Sequence, residues 1–366
     1  MQYTDINTDM LPKSIDVGMW DSCHIQGITM DTKKEYIYYS FTTLLVKADL
    51  TGKVIGYVDG LTGHLGCIDF NDEDGKVYGS LEYKHDAIGK GIANKLGVEL
   101  AKENAFYIAV FDVDKIDRLG MDAEKDGVMR AVYLPEVVAD YEGTGENGKP
   151  HHYACSGIDG TAFGPAFGSG KNGESILAVC YGIYKDLDRT DNDYQVIRRY
   201  DWRSFDAVAQ PLSQGKPHHS GILSEECYHL YTGNTDWGVQ NLEYDPYTGD
   251  WLVAVYKGKK ECFPNYPMFV IDGSVAPKEE ILRGISPEET GKVLTLKKTP
   301  LLHKESGVYG RSFPYGSTGM HALGNGYYYF SEPYRVPINA GTKKLQASVI
   351  RLYRLAEDTP DGFELV

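Results

Sequence analysis

Two histidines begin two segments that match each other residue by residue. The first segment runs from His24 to Phe41, and the second runs from His64 to Ser80. In each segment, a β-rich run leads into a tight polar turn and then into a second β-rich run, which is the pattern of a β-hairpin. A hairpin with a histidine at its start, used twice in the same register, indicates a repeated unit that directs polar side chains toward one shared place.

Later repeats add residues that could bind a metal ion together with these histidines. Aligning the repeats places Gln240 on Gln26, and it places His321 at the start of the last repeat. Imidazole nitrogens suit Mn, Zn or Fe, and a glutamine carbonyl oxygen suits harder ions such as Ca. His24, His64, Gln240 and His321 are therefore a predicted ligand set for a divalent cation. The alternative is that these polar groups bind ordered water and one another.

Acid–base chemistry at the same place would need carboxyl and hydroxyl groups beside the cation. Asp21 and Glu82 are the carboxylates predicted nearest the axis, where a cation would tune their pKa values. Tyr315 and Tyr334 are predicted to donate hydrogen bonds to a developing oxyanion. Asp21 has an alternative interpretation as an ordinary turn residue.

Short antiparallel strands must position these residues. The 28 tyrosines and 41 glycines favour strands and tight turns, and apolar stretches with a 3.6-residue period are scarce. Four short strands in about 40 residues is the size of one propeller blade. We therefore predict that residues 1–366 form one all-β domain, a five-bladed β-propeller with an axial site. The predicted blades are 20–58, 64–133, 153–210, 237–297 and 318–366.

Several details of this propeller are open to test. The insertion after Tyr83 is predicted to hold a short helix at 91–103, and the third blade is predicted to end on an outer strand near 206–210. Either the lead-in at 1–19 or the C-terminal Phe363–Val366 would supply the strand that closes the ring, because closure removes exposed sheet edges. Six blades remain an alternative if 220–233 forms strands of its own.

Position in a propeller also predicts which residues touch a substrate. The start of each first strand and the loop after each second strand open on the same face, so these segments should meet at one mouth. The loop Lys257–Lys260 is one of them. The residues predicted to bind substrate there are Gln26, His85, His219, Trp237, Glu332, Tyr334 and Arg335.

Charge and composition narrow the class of partner. The formal net charge is -15, which disfavours nucleic acid because phosphate binding needs a basic face. The same charge weakens the case for a polyanionic sugar, whereas abundant Tyr and Trp suit the rings of neutral sugars. We expect a small-molecule or oligosaccharide substrate, with neither nucleic acid nor a membrane as a partner, and the sequence does not indicate an oligomeric state.

Cysteine usage and the N-terminus bear on the compartment. The six cysteines show no CxxC spacing, and free buried thiols in a reducing compartment are the expected interpretation. No apolar run is long enough to span a membrane, and the N-terminal residues lack the basic and apolar regions of a signal peptide. These features predict a cytoplasmic protein, or a secreted one if a signal peptide has been removed.

The repeat pattern resembles the five-bladed β-propellers of carbohydrate-active enzymes over most of the chain. His24, His64, His321 and Gln240 are similar in type to the histidines and glutamine that hold a divalent metal in the oligogalacturonate lyases, which have seven blades. The bacterial five-bladed deacetylases of N-acetylgalactosamine are similar in blade number and in having a central metal. The five-bladed glycosidases of the arabinanase type use three carboxylates at blade starts, for which Asp21, Asp159 and Glu243 could be offered.

The resemblance implies three functional hypotheses. The first is a metal-dependent hydrolase, a glycosidase or a deacetylase, acting on a neutral or N-acetylated glycan at the axis. The second is a metal-assisted lyase of uronate oligosaccharides, which would require Arg335, Lys84 and Lys185 to point into the pocket. The third is a sugar-binding propeller without catalytic activity, which needs no cation.

Overall fold

A ring of β-sheets organises the molecule. The computed structural model describes residues 11–338 and 343–366, apart from the side chain of Lys343. Its strands form five principal sheets that follow one another along the chain. The inner strand of each sheet contacts the inner strand of the next, and the last contacts the first. This arrangement is a closed five-bladed β-propeller, which confirms the predicted fold class.

The described residues contain 25 strands and three α-helices. The strands are β1 (Ser14–Trp20), β2 (Ile25–Met30), β3 (Tyr36–Phe41), β4 (Leu44–Asp49), β5 (Val54–Asp59), β6 (His64–Asn71), β7 (Lys76–Tyr83), β8 (Ala105–Phe111), β9 (Met121–Asp122), β10 (Met129–Tyr133), β11 (Cys155–Pro165), β12 (Ser175–Ile183), β13 (Tyr194–Tyr200), β14 (Glu226–Tyr231), β15 (Asp236–Asp245), β16 (Asp250–Tyr256), β17 (Met268–Ile271), β18 (Lys278–Ile281), β19 (Thr290–Val293), β20 (Leu301–His303), β21 (Val308–Gly310), β22 (Met320–Ala322), β23 (Tyr327–Ile338), β24 (Lys343–Leu355) and β25 (Phe363–Leu365). The helices are α1 (Ala87–Leu96), α2 (Pro135–Glu142) and α3 (Phe205–Val208).

The blades follow the chain from the inner strand outward. Blade 1 consists of β2 to β5, with β9 added parallel to β5, and blade 2 consists of β6, β7, β8 and β10. Blade 3 consists of β11 to β14 and is extended by β19 and β18, which lie within the range predicted for blade 4. Blade 4 consists of β15 to β17, and blade 5 consists of β22 to β24.

Both chain ends that the sequence offered for closure take part in it. β1 pairs with the outer edge of β24 from Ser14 opposite Arg351 to Trp20 opposite Gln346. β25 pairs farther along the same strand, with Leu365 opposite Tyr353. Blade 5 is therefore completed by both segments side by side, and the outer edge of β24 is covered along most of its described length.

Two predicted elements in blade 3 differ from the structure. Residues 205–208 form α3 rather than an outer strand, because Phe205 turns inward and packs against Tyr78 and Tyr200. The outer strand is β14, whose Tyr231 pairs with Tyr194 of β13. The segment 220–233 thus completes blade 3 and does not form a sixth blade.

The predicted helix in the insertion of blade 2 is present but begins earlier. The Asp86 side chain accepts hydrogen bonds from the backbone of Ile88 and Gly89 and caps α1 at its N-terminus. The helix ends at Leu96 because Gly97 adopts a left-handed conformation with φ 68°. α2 was not predicted, and it begins with Pro135, a residue suited to the first helical turn.

The apolar core lies between the blades. Five clusters of buried residues each join two neighbouring sheets, and examples are the contact of Tyr38 with blade 2 and the contact of Tyr39 with blade 5. Polar bonds repeat in the same register: Ser40 donates to Gly66 O (2.6 Å), and Ser80 donates to Asp159 O (2.8 Å). These bonds confirm that the two hairpins seen in the sequence are equivalent.

Two further features of the chain concern its environment. All six cysteines are unpaired, as predicted, but only Cys67, Cys155 and Cys180 are buried. Within the described residues, no helix combines the length and the apolar character needed to cross a membrane.

Candidate functional site

A cavity of about 170 Å³ lies where the inner strands of blades 1 to 4 begin. His24 and Gln26 reach it from blade 1, and His64 reaches it from the first position of β6. The complete lining is His24, Gln26, His64, Glu82, Lys84, Ile88, Ser156, Ile158, Asp159, Gly182, Trp237, Gln240 and Tyr256. We call this space the axial cavity. Six of the residues predicted to form a site thus line one cavity: His24, Gln26, His64, Glu82, Trp237 and Gln240.

The two histidines of the axial cavity are held as neutral imidazoles. His24 Nε2 lies 3.0 Å from the hydroxyl oxygen of Tyr256, and burial together with the nearby Arg335 lowers the pKa of His24. Burial, Lys84 and His24 lower the pKa of His64 to about 3. His64 Nδ1 is buried without a hydrogen-bond partner, 3.5 Å from Glu82 Oε1. The unpartnered Nδ1 of His64 is therefore open to a metal ion or a proton donor, and His24 can offer its Nδ1 when Nε2 carries the proton and donates to Tyr256.

A buried ion pair lies beside His64. The Lys84 ammonium contacts Glu82 Oε1, donates to Ser156 O (2.8 Å) and lies 3.7 Å from Asp86 Oδ2. Burial raises the pKa of Glu82 to about 7, although Lys84 opposes that increase. Burial lowers the pKa of Lys84, but Glu82 and Asp86 outweigh it and raise the pKa on balance. Glu82 is therefore a carboxyl group that can gain or lose a proton near neutral pH.

The two glutamines use their amide nitrogens for bonds within the protein. Gln240 Nε2 donates to the backbone oxygen of Trp237 (3.1 Å), and Gln26 Nε2 donates to Thr42 Oγ1 (3.2 Å). These hydrogen bonds identify the nitrogen of each side-chain amide. The carbonyl oxygen of each amide remains available as an acceptor. Trp237 itself has a left-handed backbone with φ 71°, which is unusual for an aromatic residue.

Two glycines allow the strands to approach this closely. A Cβ on Gly157, whose φ is 117°, would lie 2.0 Å from Glu82 Oε2. A Cβ on Gly66 would lie 2.1 Å from Asp159 Oδ1. Both positions accept only glycine without a shift of the carboxyl groups, since real Cβ contacts are never this short.

An outer cavity of about 440 Å³ shares His24, Gln26 and His64 with the axial cavity. Ile88 of α1 also lines both cavities, and Ile92 and Leu96 of the same helix line the outer one. The helix inserted into blade 2 therefore forms part of the wall of both cavities.

Two polar residues of this site, Tyr256 and Lys84, differ from what the sequence led us to expect. Tyr256 ends β16, one residue before the loop Lys257–Lys260 that the positional argument selected. Lys84 was expected only as a possible contact for an acidic sugar, whereas it is the buried partner of Glu82. The expectation that the loop after each second strand opens at the mouth located the correct end of β16, but it did not identify Tyr256.

The structure places the other predicted catalytic residues away from the axial cavity. Asp21 has a side chain that is 61% exposed and lies 3.2 Å from the Lys95 ammonium. Tyr315 packs against the rings of Phe313 and Tyr353 in blade 5. Neither residue lines the cavity, because Asp21 lies before the inner strand begins and Tyr315 belongs to an aromatic cluster between blades.

The remaining predicted substrate contacts also lie outside its lining. His85 Nε2 lies 2.7 Å from Ala101 O, and His219 Nε2 lies 2.7 Å from Glu103 Oε1. Glu332 bonds to Tyr353 and lies 3.2 Å from Arg351. Tyr334 is exposed, and Arg335 is exposed but lies close enough to His24 to lower its pKa.

His321 lies near the opposite end of the inner strands. It pairs with Tyr329, the third residue of β23, just as Thr29 pairs with the third residue of β3. His321 is therefore equivalent to Thr29 and not to His24, which corrects the sequence alignment by five residues. The predicted set of four metal ligands does not meet at one point, because His24, His64 and Gln240 line the axial cavity and His321 does not.

Comparisons with known proteins add little to this description. No protein-family model matches the chain, and no curated protein matches it. The β-propeller domain of Cps50 (Swd1) from Myceliophteria thermophila is 8% identical, with 91% of this chain and 84% of that chain covered at a TM-score of 0.34. The PQQ domain of pyranose dehydrogenase from Coprinopsis cinerea is 12% identical, with 91% and 83% covered at a TM-score of 0.35. The fold assignment rests on the five sheets of this chain.

Proposed function

We propose that the chain is an enzyme that hydrolyses a neutral or N-acetylated glycan whose reacting group enters the axial cavity. One observation carries the proposal: His24, His64 and Gln240, from three blades, converge on the same small chamber as Glu82. Trp237 supplies a flat aromatic wall suited to a sugar ring. The outer cavity gives room for the rest of the substrate, since the inner one is too small for more than the reacting end.

A divalent cation fits this chamber through His24, His64 and the carbonyl oxygen of Gln240. The buried Nδ1 of His64 has no partner, both imidazoles are neutral, and the amide nitrogen of Gln240 is already bound. Imidazole and carbonyl ligands suit Mn, Zn or Fe. When bound, such an ion would polarise a substrate oxygen or make a water molecule more acidic.

The chain's own residues would handle the proton. Glu82 can exchange one near neutral pH, and Ile158 N holds its Oε2 at 3.1 Å. Lys84 keeps the carboxylate in place and stabilises its ionised form. Tyr256 fixes the orientation of His24 through the hydrogen bond to Nε2. These contacts pre-organise the acid–base group before any substrate arrives.

The charges favour a neutral substrate over a uronate. A lyase acting on acidic sugars would need cations that are free to bind a carboxylate. Lys84 is paired with Glu82, and Lys185 Nζ lies 3.2 Å from Asp236 Oδ2. Lys84 and Lys185 are therefore matched within the protein, whereas the exposed Arg335 lies near His24.

A glycan panel assayed with and without chelator tests the proposal. We expect hydrolysis of at least one neutral or N-acetylated glycan, abolished by chelation and restored by Mn²⁺ or Zn²⁺. His64→Ala should lose metal and activity together, whereas Glu82→Gln should keep the metal and lose about 10²–10⁴-fold in rate. His303→Ala, in the β20–β21 hairpin, is the control and should change neither.

Two results would contradict the proposal. Turnover that persists at full rate in the chelated enzyme or in His64→Ala would remove the metal from the mechanism. Glycan binding without turnover of any substrate in the panel would instead identify a binding propeller.

A further inference from the structure

A second polar cluster lies at the other end of the inner strands. Asp69 of β6, Glu243 of β15 and His321 of β22 each offer a ligand atom, and these three atoms lie within 4.8 Å of one another. All three side chains are buried. The residues come from blades 2, 4 and 5, so they are brought together only by closure of the ring.

The three residues share one register position. Asp69 pairs with Tyr78, Glu243 pairs with Leu252 and His321 pairs with Tyr329. Each of these three partners is the third residue of the second strand in its blade. Equivalent inner-strand positions face the axis at the same height. The convergence is therefore a consequence of the repeat and does not depend on the placement of a loop.

Backbone and side-chain donors hold the two carboxylates in place. Asp69 Oδ1 accepts from Thr29 Oγ1 (3.1 Å) and Phe70 N (2.8 Å), and its Oδ2 accepts from Phe163 N (2.7 Å). Glu243 Oε1 accepts from Ala322 N (2.7 Å). Hydrogen bonds of this kind hold the ligating side chains of metal sites in a fixed orientation.

One atom in the cluster has no partner of its own. His321 Nδ1 is buried without a hydrogen bond and lies 3.3 Å from Glu243 Oε1, and the residue is only 8% exposed. An unpaired imidazole nitrogen facing a carboxylate oxygen across this distance leaves room for a cation that both atoms could bind.

The charge of the cluster is poorly balanced without a cation. Asp69 is 8% exposed and Glu243 is 5% exposed, so both carboxyl groups are largely removed from water. The Lys34 ammonium lies 3.4 Å from His321 Nε2. Two buried carboxylates beside a desolvated ammonium are costly to keep charged, and a divalent ion would relieve that cost.

We propose that Asp69, Glu243 and His321 bind one divalent transition-metal ion that ties blades 2, 4 and 5 together, separately from any ion in the axial cavity. One nitrogen and two carboxylate oxygens suit Mn²⁺ or Zn²⁺, and the imidazole disfavours Ca²⁺. The ion stabilises the closed ring, because it binds only when all three inner strands are in register. The Lys34 ammonium, 3.4 Å from His321 Nε2, lies beside this site and would compete with the ion by charge repulsion.

Titration of the metal-free full-length protein with Mn²⁺ alone and with Zn²⁺ alone tests this site. The readouts are bound metal per chain, from elemental analysis and the loss of the free Mn²⁺ EPR signal, and the thermal unfolding temperature. Glu243→Gln and His321→Gln should each weaken binding at this site at least 10-fold and remove the corresponding rise in unfolding temperature. The double variant His24→Ala/His64→Ala should retain both, which separates this site from the axial cavity.

Lys34→Met supplies a test in the opposite direction. Removing the competing ammonium should tighten metal binding about 10-fold or more and increase the metal-dependent rise in unfolding temperature. The proposal is overturned if wild-type protein and Lys34→Met bind no metal beyond that lost in His24→Ala/His64→Ala. It is also overturned if Glu243→Gln and His321→Gln, shown by circular dichroism to be folded, bind metal like the wild type. In either case Lys34 is the permanent counter-ion of the cluster.

Discussion

His152 illustrates how one side chain links stability to pH. Its Nδ1 lies 2.9 Å from Asp140 Oδ1, and its Nε2 lies 3.7 Å from Glu289 Oε1. The hydrogen bond to Asp140 raises the pKa of His152, with further contributions from the charges of Asp140 and Glu289. The folded protein thus binds this proton more tightly than the unfolded chain. The resulting stabilisation is fully present below the ordinary histidine pKa of about 6.5 and is lost as the pH rises through the folded-state value.

We therefore expect His152→Gln to destabilise the protein more at pH 5.5 than at pH 8.5. Urea unfolding of the wild type and the variant at both values measures the difference. The control is the same substitution in an Asp140→Asn background, where most of its pH dependence should disappear because the principal partner is gone. An effect of His152→Gln that is equal at both pH values, or larger at pH 8.5, would show that the ion pair does not control this titration.

The residues of the axial cavity could be predicted only where the sequence pattern determined their register in the strand. His24 and His64 begin hairpins of nearly equal length, so aligning them needed no structural knowledge, and both line the cavity. His321 precedes a short turn on a strand of only three residues, so the sequence pattern does not set its register. An offset of five residues at about 3.3 Å each moves a side chain by about 16 Å along a strand, so His321 lies outside the axial cavity.

At the scale of elements, α1 is the insertion that most affects the site. It begins at Ala87, four residues before the predicted start at 91, because Asp86 caps its N-terminus. The sequence contains the signal, since Asp followed by a helical apolar spacing is typical of an N-terminus. α1 makes no strand pairing, and it lies over the outer cavity through Ile88 and Ile92.

Two glycines of α1 form a matched pair for testing this element. A Cβ on Gly91 would meet no atom within 4 Å, whereas a Cβ on Gly89 would lie 1.7 Å from the backbone oxygen of Lys84. Gly91→Ala should stabilise the helix by up to about 1 kcal/mol, because alanine is the better helix former. Gly89→Ala carries the same propensity gain but should be destabilising, since the clash is with backbone.

Hydrogen exchange of the α1 amides measures the local effect of each substitution on the helix, separately from its effect on the stability of the whole protein. Exchange should slow in Gly91→Ala and accelerate in Gly89→Ala. Because Lys84 holds Glu82 in place, Gly89→Ala should also reduce the proposed glycan hydrolysis, whereas Gly91→Ala should leave the Glu82–Lys84 pair in place. Equal exchange rates in the two variants would mean that α1 does not pack on the Lys84 backbone as described.

At the scale of the whole molecule, stability depends on the interfaces between blades. The repeated hairpins and their blade-sized spacing were enough to predict five sheets, but not which outer strands would join them. β14, β18 and β19 come from long connections whose partners are decided by packing in three dimensions, and local propensity carries no information about that choice. The closing strands were easier to anticipate, because only the two chain ends remained for the open edge of blade 5.

The two closing strands seal different interfaces, which leads to a prediction about the ring. Ile15 of β1 is buried in the cluster between blades 5 and 1, and Phe363 of β25 is buried in the cluster between blades 4 and 5. Ile15→Ala should cost about 3 kcal/mol and Phe363→Ala about 4 kcal/mol, typical values for large-to-small changes in a core. The two residues share no cluster, so the double variant should lose the sum to within about 0.5 kcal/mol.

Urea unfolding followed by tryptophan fluorescence and by circular dichroism should give one coincident transition for each variant, because a closed ring cannot release one blade without exposing both neighbouring interfaces. Phe363→Leu is the matched control, since it keeps an apolar side chain at the interface and should cost less than Phe363→Ala. Separate transitions for the two probes, or a double variant far from the sum, would show instead that blade 5 opens on its own and that closure is a local event at β24.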